Sequence, residues 1–148
     1  LGDVYKRQVS VGAVQEEVMK AGLLGEMIGI AFQIKDDIFD YFESSELGKP
    51  TGNDMLEGKL TLPALYVLNQ TGDDSLKQTA LKIRSLEASK EEIANFVETV
   101  KEKGGIEYAT RMMYEFRDKA LALVPASADS SLKEALTAYI DYVIERNK

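Results

Sequence analysis

Apolar positions recur at three- and four-residue steps over most of this chain. Between residues 11 and 42, Val14, Val18, Met27, Ile30, Ile34, Ile38 and Tyr41 keep helical spacing with no proline among them, which predicts one long helix. Gly22, Gly25 and Gly29 lie inside it, each costing about 1 kcal/mol relative to alanine, so close packing or a local break is expected there. ELGKPTGND, residues 46–54, ends the helix: Pro50 disfavours helical backbone at Lys49, and Gly48 and Gly52 free the chain. A short helix is expected over residues 62–69, with Thr61 as N-cap and Pro63 in its first turn, then a polar turn, QTGDD, over 70–74. Further helices are expected over 74–84, 90–103, 105–124 and from Ser131 to about residue 147. Ser89 with Glu92 and Ser131 with Glu134 supply capping signatures, and Gly104 and Pro125 supply stops. No segment alternates as a strand does, so the chain reads as all-α.

Composition narrows the chemistry. The 148 residues are 45% hydrophobic, enough for a real core and against intrinsic disorder. Lys plus Arg less Asp plus Glu is 18 − 25 = −7, and no basic run stands out, which argues against a nucleic-acid partner. An anionic ligand would then need a local attractor, for which a divalent cation is suited. With no cysteine and no histidine, thiolate chemistry, the commonest zinc ligand and the commonest general base are all excluded. No apolar run reaches the roughly 18–20 residues that span a bilayer. LGDVYKRQ lacks the apolar stretch of a signal peptide, so a cytoplasmic location is expected. That opening also fits poorly with the remainder of the chain and resembles a translated sequencing adapter. Residues 1–8 are expected to be a non-native leader, and 9–148 one domain.

FQIKDDIFDYF, residues 32–42, sets three carboxylates among aromatic and aliphatic neighbours. On a helix Asp36 and Asp40 share a face, Asp37 leans in beside them, and Gln33 extends the polar face by a turn. Like charges this close repel, most of all among apolar neighbours. Oxygen ligands at this spacing suit Mg²⁺, which takes one or two carboxylates, keeps waters and bridges to phosphates. Read from spacing alone, a solvated acidic helix face is the more frequent occurrence of DDxxD, and the flanking Phe32, Phe39, Tyr41 and Phe42 shift the balance only a little. Lys49 and Lys59 sit on loops past the acidic helix, where a cation can grip a metal-bound diphosphate; a plain surface lysine is the bland alternative for each. Asp54 is expected to cap the turn before Lys59 rather than to extend the acidic patch.

Taken together and in order, Phe32-Gln33, Asp36-Asp37-x-x-Asp40, Gly48-Lys49, Gly52 with Asp54, and Lys59 ahead of Thr61-Leu62-Pro63 resemble the second aspartate-rich region of the trans-isoprenyl diphosphate synthases, the polyprenyl synthetase family. Gly104-Gly105-Ile106, Tyr108-Ala109 and Asp141-Tyr142-Val143 are similar to that family's C-terminal helices, so the resemblance covers about residues 10–148. It implies the C-terminal part of an isoprenoid-synthase-type helical bundle around a central cavity. It also implies condensation of an allylic diphosphate with isopentenyl diphosphate, head to tail, with Mg²⁺ as cofactor and a homodimer as the usual assembly. By motif, Asp36 and Asp40 bind Mg²⁺ with Asp37 in the same cluster, these three being the catalytic and metal residues. Gln33, Lys49 and Lys59 hold the allylic diphosphate, and Phe32 lines the isopentenyl side.

The family carries two aspartate-rich motifs on facing helices, and this chain carries only the second. Asp73-Asp74 lacks a third aspartate at the required spacing. The arginines that follow the first motif and the upstream Lys-Thr pair are also missing. The expectation is therefore a C-terminal half, inactive alone and weak in binding Mg²⁺-diphosphate. Its apolar faces at Ile30, Ile34, Phe39 and Tyr66 would be uncovered, leaving it prone to aggregation or molten. A non-catalytic partner subunit of a heteromeric synthase is the alternative, and an acidic helical domain with a chance motif is the bland one. Met112, Met113, Tyr114 and Phe116 are expected in the core, and the terminal Arg146-Asn147-Lys148 as a solvated end. Product length is not legible, because the side chains that set it precede the missing motif.

Overall fold

Capping chemistry decides where several helices begin. In the computed structural model, which describes Gly12 and residues 14–42, 51–125 and 128–145, the described residues form helices and connectors without strands. These are α1 (Gln15–Phe39), α2 (Asn53–Leu56), α3 (Leu62–Thr71), α4 (Asp74–Arg84), α5 (Lys90–Glu102), α6 (Gly105–Ala122) and α7 (Ser130–Glu145). The all-α expectation holds. Residues 1–8, Gly48, Lys49 and 146–148 lie outside the described residues.

At α5 both halves of the expected capping box form. The Ser89 hydroxyl accepts the Glu92 N–H at 3.1 Å, and the Ser89 N–H donates to the Glu92 carboxylate at 2.8 Å. Ser89→Ala is expected to lower stability by about 1 kcal/mol, read as a shift in the urea midpoint at constant slope. Asp73 caps α4 by accepting the N–H groups of Ser75 and Leu76, so the second acidic pair of the sequence is a helix start. At α7 the expected cap is corrected. Asp129, not Ser131, accepts the Leu132 N–H at 2.7 Å, and the Ser131 hydroxyl donates to the same carboxylate. A carboxylate is the stronger acceptor, and the helix begins one residue early.

The other boundaries move for local reasons. α1 runs unbroken through its glycines, and a Cβ on Gly22 would meet nothing within 4 Å, so neither expected consequence arises at that position. The helix closes at Phe39 because Tyr41 and Phe42 donate to the carbonyls of Ile38 and Phe39, tightening the last turn. α3 extends to Thr71, where Gly72 takes the left-handed conformation that closes a helix (φ 59°). α2 stands inside what the sequence presents as loop.

The chain divides into two units. In the unit spanning Asp36–Arg111, α2 packs on α4 and α5, and α5 also packs on α3 and α4. Their shared core holds Tyr41, Met55, Val67, Ile83, Phe96 and Val100. Tyr66 and Tyr108 stack there with centroids 3.9 Å apart and planes 7° from parallel. In the other unit, residues 1–35 with 112–148, the buried side chains include Val18, Ala31, Ile34, Met113, Ile140 and Ile144. Arg117 ties α6 to α7, its Nη2 and Nε lying 2.6 and 2.7 Å from Asp141 Oδ1.

The expected exposed faces are corrected as well. Ile34 is buried, and Ile30, Phe39 and Tyr66 are half-buried. Exposed large apolar side chains occur in both units, among them Val14, Met19, Leu23, Tyr139 and Tyr142 in one and Phe42, Leu81 and Leu86 in the other. Of the expected core group near residue 113, Met113 is buried, but Tyr114 is exposed and the half-buried Phe116 ring carries Lys119 Nζ at 4.8 Å. Among the described residues no helix is long and apolar enough to cross a membrane.

Candidate functional site

The acidic end of α1 has a structural role that its sequence does not announce. α2 starts from Gly52 in a left-handed conformation (φ 78°), which offers no side chain to accept the first N–H groups of the helix. Asp40 accepts them across thirteen positions of sequence: Oδ1 takes the Asn53 N–H at 2.9 Å and Oδ2 the Asp54 N–H at 3.1 Å. The Gly52 N–H donates to the Asp40 carbonyl at 2.8 Å. At α3 the expected N-cap, Thr61, has the extended backbone of a cap but makes no side-chain capping bond. Asp37 accepts a hydrogen bond from the Leu62 backbone instead. The buried Tyr41 hydroxyl receives one from the Ala64 backbone and lies 3.5 Å from Thr61 Oγ1. One turn and a half of the acidic segment thus caps two successive helices.

Lys59 lies on the five-residue connector between those helices, residues 57–61. Its N–H donates to the Asp54 carbonyl at 2.8 Å. Its ammonium is 2.6 Å from Glu57 and 3.8 Å from Asp54. Asp54 is thus both tethered to Asp40 and paired with Lys59, and the cap expected of it is made by its carbonyl. Of the other predicted residues, Asp36 is half-buried like Asp37 and Asp40, Phe32 is half-buried, and Gln33 is exposed. The structure brings Asp37, Asp40, Asp54 and Lys59 together around the starts of α2 and α3; Lys49 falls outside the described residues.

Burial pushes the Asp37 carboxyl up to about 6; the Leu62 hydrogen bond opposes this, while the charges of Asp54, Asp36 and Asp40 add to it. Burial raises Asp40 too, against the pull of its two backbone donors, and burial raises the Tyr41 hydroxyl. Glu57 raises Lys59, whose ammonium lowers Glu57 in return. For Asp37 the folded pKa exceeds the unfolded one, about 3.9. Its contribution to stability is therefore complete below about pH 4 and is lost as pH rises through about 6. Asp37→Asn keeps an acceptor for Leu62 and removes the charge. The variant is expected to melt above the wild type at pH 7.5 and to lose that advantage at pH 4, as thermal unfolding at the two pH values would read.

A carboxylate retained where its charge costs stability is more usual at a functional site than in a packing role. Among the described residues no three acidic side chains converge as a ready-made metal cage. Mg²⁺ does not need one, since it takes one or two carboxylates and completes its shell with waters and substrate phosphates. The oxygen donors and mutual repulsion of Asp36 and Asp37 fit that kind of open site. A cavity of about 210 Å³ is lined by Leu121, Val124, Lys133 and Thr137, none a predicted site residue.

Tyr41, Thr61 and the backbone of α2 were not legible as parts of this site. The one available signal was negative: Gly52 precedes a polar segment without a capping side chain of its own.

Known proteins share both the sequence pattern and the fold. The family model described as polyprenyl synthetase matches residues 5–100. The nonaprenyl diphosphate synthase of Mycobacterium tuberculosis is 35% identical over 140 residues, which are 92% of this chain and 41% of the relative. A heptaprenyl diphosphate synthase component 2 from Geobacillus stearothermophilus is 33% identical over 136 residues, 89% of this chain and 41% of the relative. Among solved structures, a geranylgeranyl pyrophosphate synthase from Bacteroides thetaiotaomicron superposes with a TM-score of 0.90 at 53% identity, covering 97% of this chain and 47% of that one. The chain spans less than half the length of these relatives.

Proposed function

The chain belongs to the polyprenyl synthetase family, and on that premise we propose that it supplies the second aspartate-rich motif of a prenyltransferase. The reaction is head-to-tail condensation of an allylic diphosphate with isopentenyl diphosphate. The bond between the allylic carbon and its diphosphate breaks, the isopentenyl double bond attacks that carbon, and the proton then lost goes to the released diphosphate. No step needs a histidine or cysteine, and this chain has neither.

Asp36, Asp37 and Asp40 would hold Mg²⁺ at the end of α1. Bound Mg²⁺ supplies positive charge that stabilises the departing diphosphate. Gln33, Lys49 and Lys59 hold that diphosphate, and Phe32 lines the isopentenyl side. A homodimer is the assembly proposed.

The observation that carries this reading is the join of Asp37, Asp40 and Lys59 around two adjoining helix starts, in a chain of this family. The test is a hybrid enzyme. Residues 12–148 replace the matching part of the Bacteroides thetaiotaomicron synthase, and incorporation of labelled isopentenyl diphosphate is measured with allylic primers. Magnesium-dependent product supports the reading; a folded hybrid with none counts against it. The relative called component 2 of a heptaprenyl diphosphate synthase favours a second reading, in which the protein works as one subunit of a heteromeric synthase. Activity of the hybrid without any added partner would set that one aside.

A further inference from the structure

Three capping bonds reach across the sequence to the segment that carries Lys59, and two of them come from one side chain. We infer that Asp40 is a positioning residue whose carboxylate fixes α2 and, through it, the place of Lys59. The inference rests on the proposed diphosphate site. The path is short and made of direct contacts. Asp40 Oδ1 and Oδ2 hold the Asn53 and Asp54 N–H groups at 2.9 and 3.1 Å. Asp54 then accepts the Lys59 N–H on its carbonyl at 2.8 Å and pairs with the Lys59 ammonium on its carboxylate at 3.8 Å. α2 spans only Asn53–Leu56, too short to persist on its own helical bonds. Gly52 brings no capping side chain, so the start of α2 depends on an acceptor from elsewhere, and Asp40 supplies both oxygens.

The chemistry gives this arrangement a use. In the structure Lys59 is drawn to Glu57 at 2.6 Å, an exposed pair of the kind that exchanges readily. A lysine that trades one anion for another needs a backbone that stays in place while its ammonium moves. The Asp40 cap provides that anchor, and Leu56, Glu57 and Gly58 close the turn behind it by donating to the carbonyls of Gly52, Asn53 and Met55.

The test uses the 148-residue chain, followed by NMR. Amide hydrogen exchange is measured at Asn53 and Asp54, and the side-chain signals of Lys59 are followed during titration with inorganic diphosphate, in parallel with and without MgCl₂. A loss seen without the metal cannot come from a missing metal ligand. In Asp40→Ala, exchange at both amides is expected to speed up by about tenfold or more, the loss of a charged acceptor. Apparent diphosphate affinity at Lys59 should fall by at least about fivefold, since it depends on the anchored backbone. The Gly52 N–H still donates to the residue 40 carbonyl, so the segment stays tethered. Asp40→Asn, a milder change, retains one acceptor and should protect one of the two amides and recover part of the affinity. A core variant of the other unit, Ile140→Val, creates a packing defect away from the path and should leave the Lys59 response unchanged.

Unchanged exchange at Asn53 and Asp54 in Asp40→Ala, or an unchanged Lys59 response beside faster exchange, overturns the inference. Because the partial chain is expected to bind diphosphate weakly, the diphosphate reading itself is overturned by a hybrid synthase whose Lys59 also ignores diphosphate, while the exchange result reports on the cap independently.

Discussion

Asp36→Asn in the hybrid synthase is expected to reduce isopentenyl incorporation by about 10²–10³-fold, the size of effect that removing one preorganised stabiliser of developing charge produces. The substitution keeps the shape of the side chain and removes one negative charge. Half-buried at the end of α1, the residue can be changed without opening the core, so the melting curve should stay within about 0.5 kcal/mol of the parent. If the residue served packing or solubility, rate and stability would move together or neither would move. The diagnostic result is a fall in kcat at nearly constant stability, with excess Mg²⁺ restoring part of the rate. Equal losses of kcat and of folded protein would point to a structural role for Asp36.

The second large effect belongs to the scaffold. Gly105→Ala should destabilise the chain by about 2–3 kcal/mol, the cost of forcing a methyl into a packed site. A Cβ built there would lie 2.6 Å from Val100 Cγ1 and 2.9 Å from the carbonyl oxygens of Pro63 and Val100. A side chain can rotate away, but two of these three atoms are backbone of α3 and α5, which cannot. The matched control is Gly22→Ala, where nothing lies within 4 Å. Inside α1 that change removes a helix-destabilising glycine and should add up to about 1 kcal/mol. Chemical denaturation of the two variants side by side reads both signs. Two glycines, one chain and opposite outcomes separate close packing from helix propensity.

Pattern and local signals carry much of the fold because helix periodicity and capping are short-range. For α4 the spacing predicts 74–84, and the helix is Asp74–Arg84. The Ser89–Glu92 box is visible four residues at a time. The misses have two causes, a competing local acceptor and partners distant in sequence. Asp129 takes the cap of α7 because it offers a charged acceptor one turn before Leu132, and Ser131 becomes its donor. α2 is unreadable because a four-residue helix has no period, and its capping oxygens lie on Asp40, thirteen positions away. The exposed-face expectation fails at Tyr66 for the same reason, since its partner Tyr108 is distant in sequence.

The candidate site is legible as residue types and spacing, not as geometry. Carboxylates on one face of a helix follow from the number of residues per turn. That Asp37 and Asp40 turn toward the backbone N–H groups of Leu62, Asn53 and Asp54 follows only from tertiary placement. Spacing and placement agree in one respect. On the proposed function, the acidic segment would join ligand chemistry to the positioning of the loop that receives the ligand.

Whether the end of α1 and the α2–α3 connector form one diphosphate site is tested most directly by a crystal structure of the hybrid synthase soaked with MgCl₂ and inorganic diphosphate. The expected result is metal bonded to Asp36 or Asp37, diphosphate beside it, and the Lys59 ammonium moved from Glu57 onto a phosphate oxygen. Diphosphate bound elsewhere, with Lys59 still on Glu57 and no metal on the acidic helix, would contradict a single site.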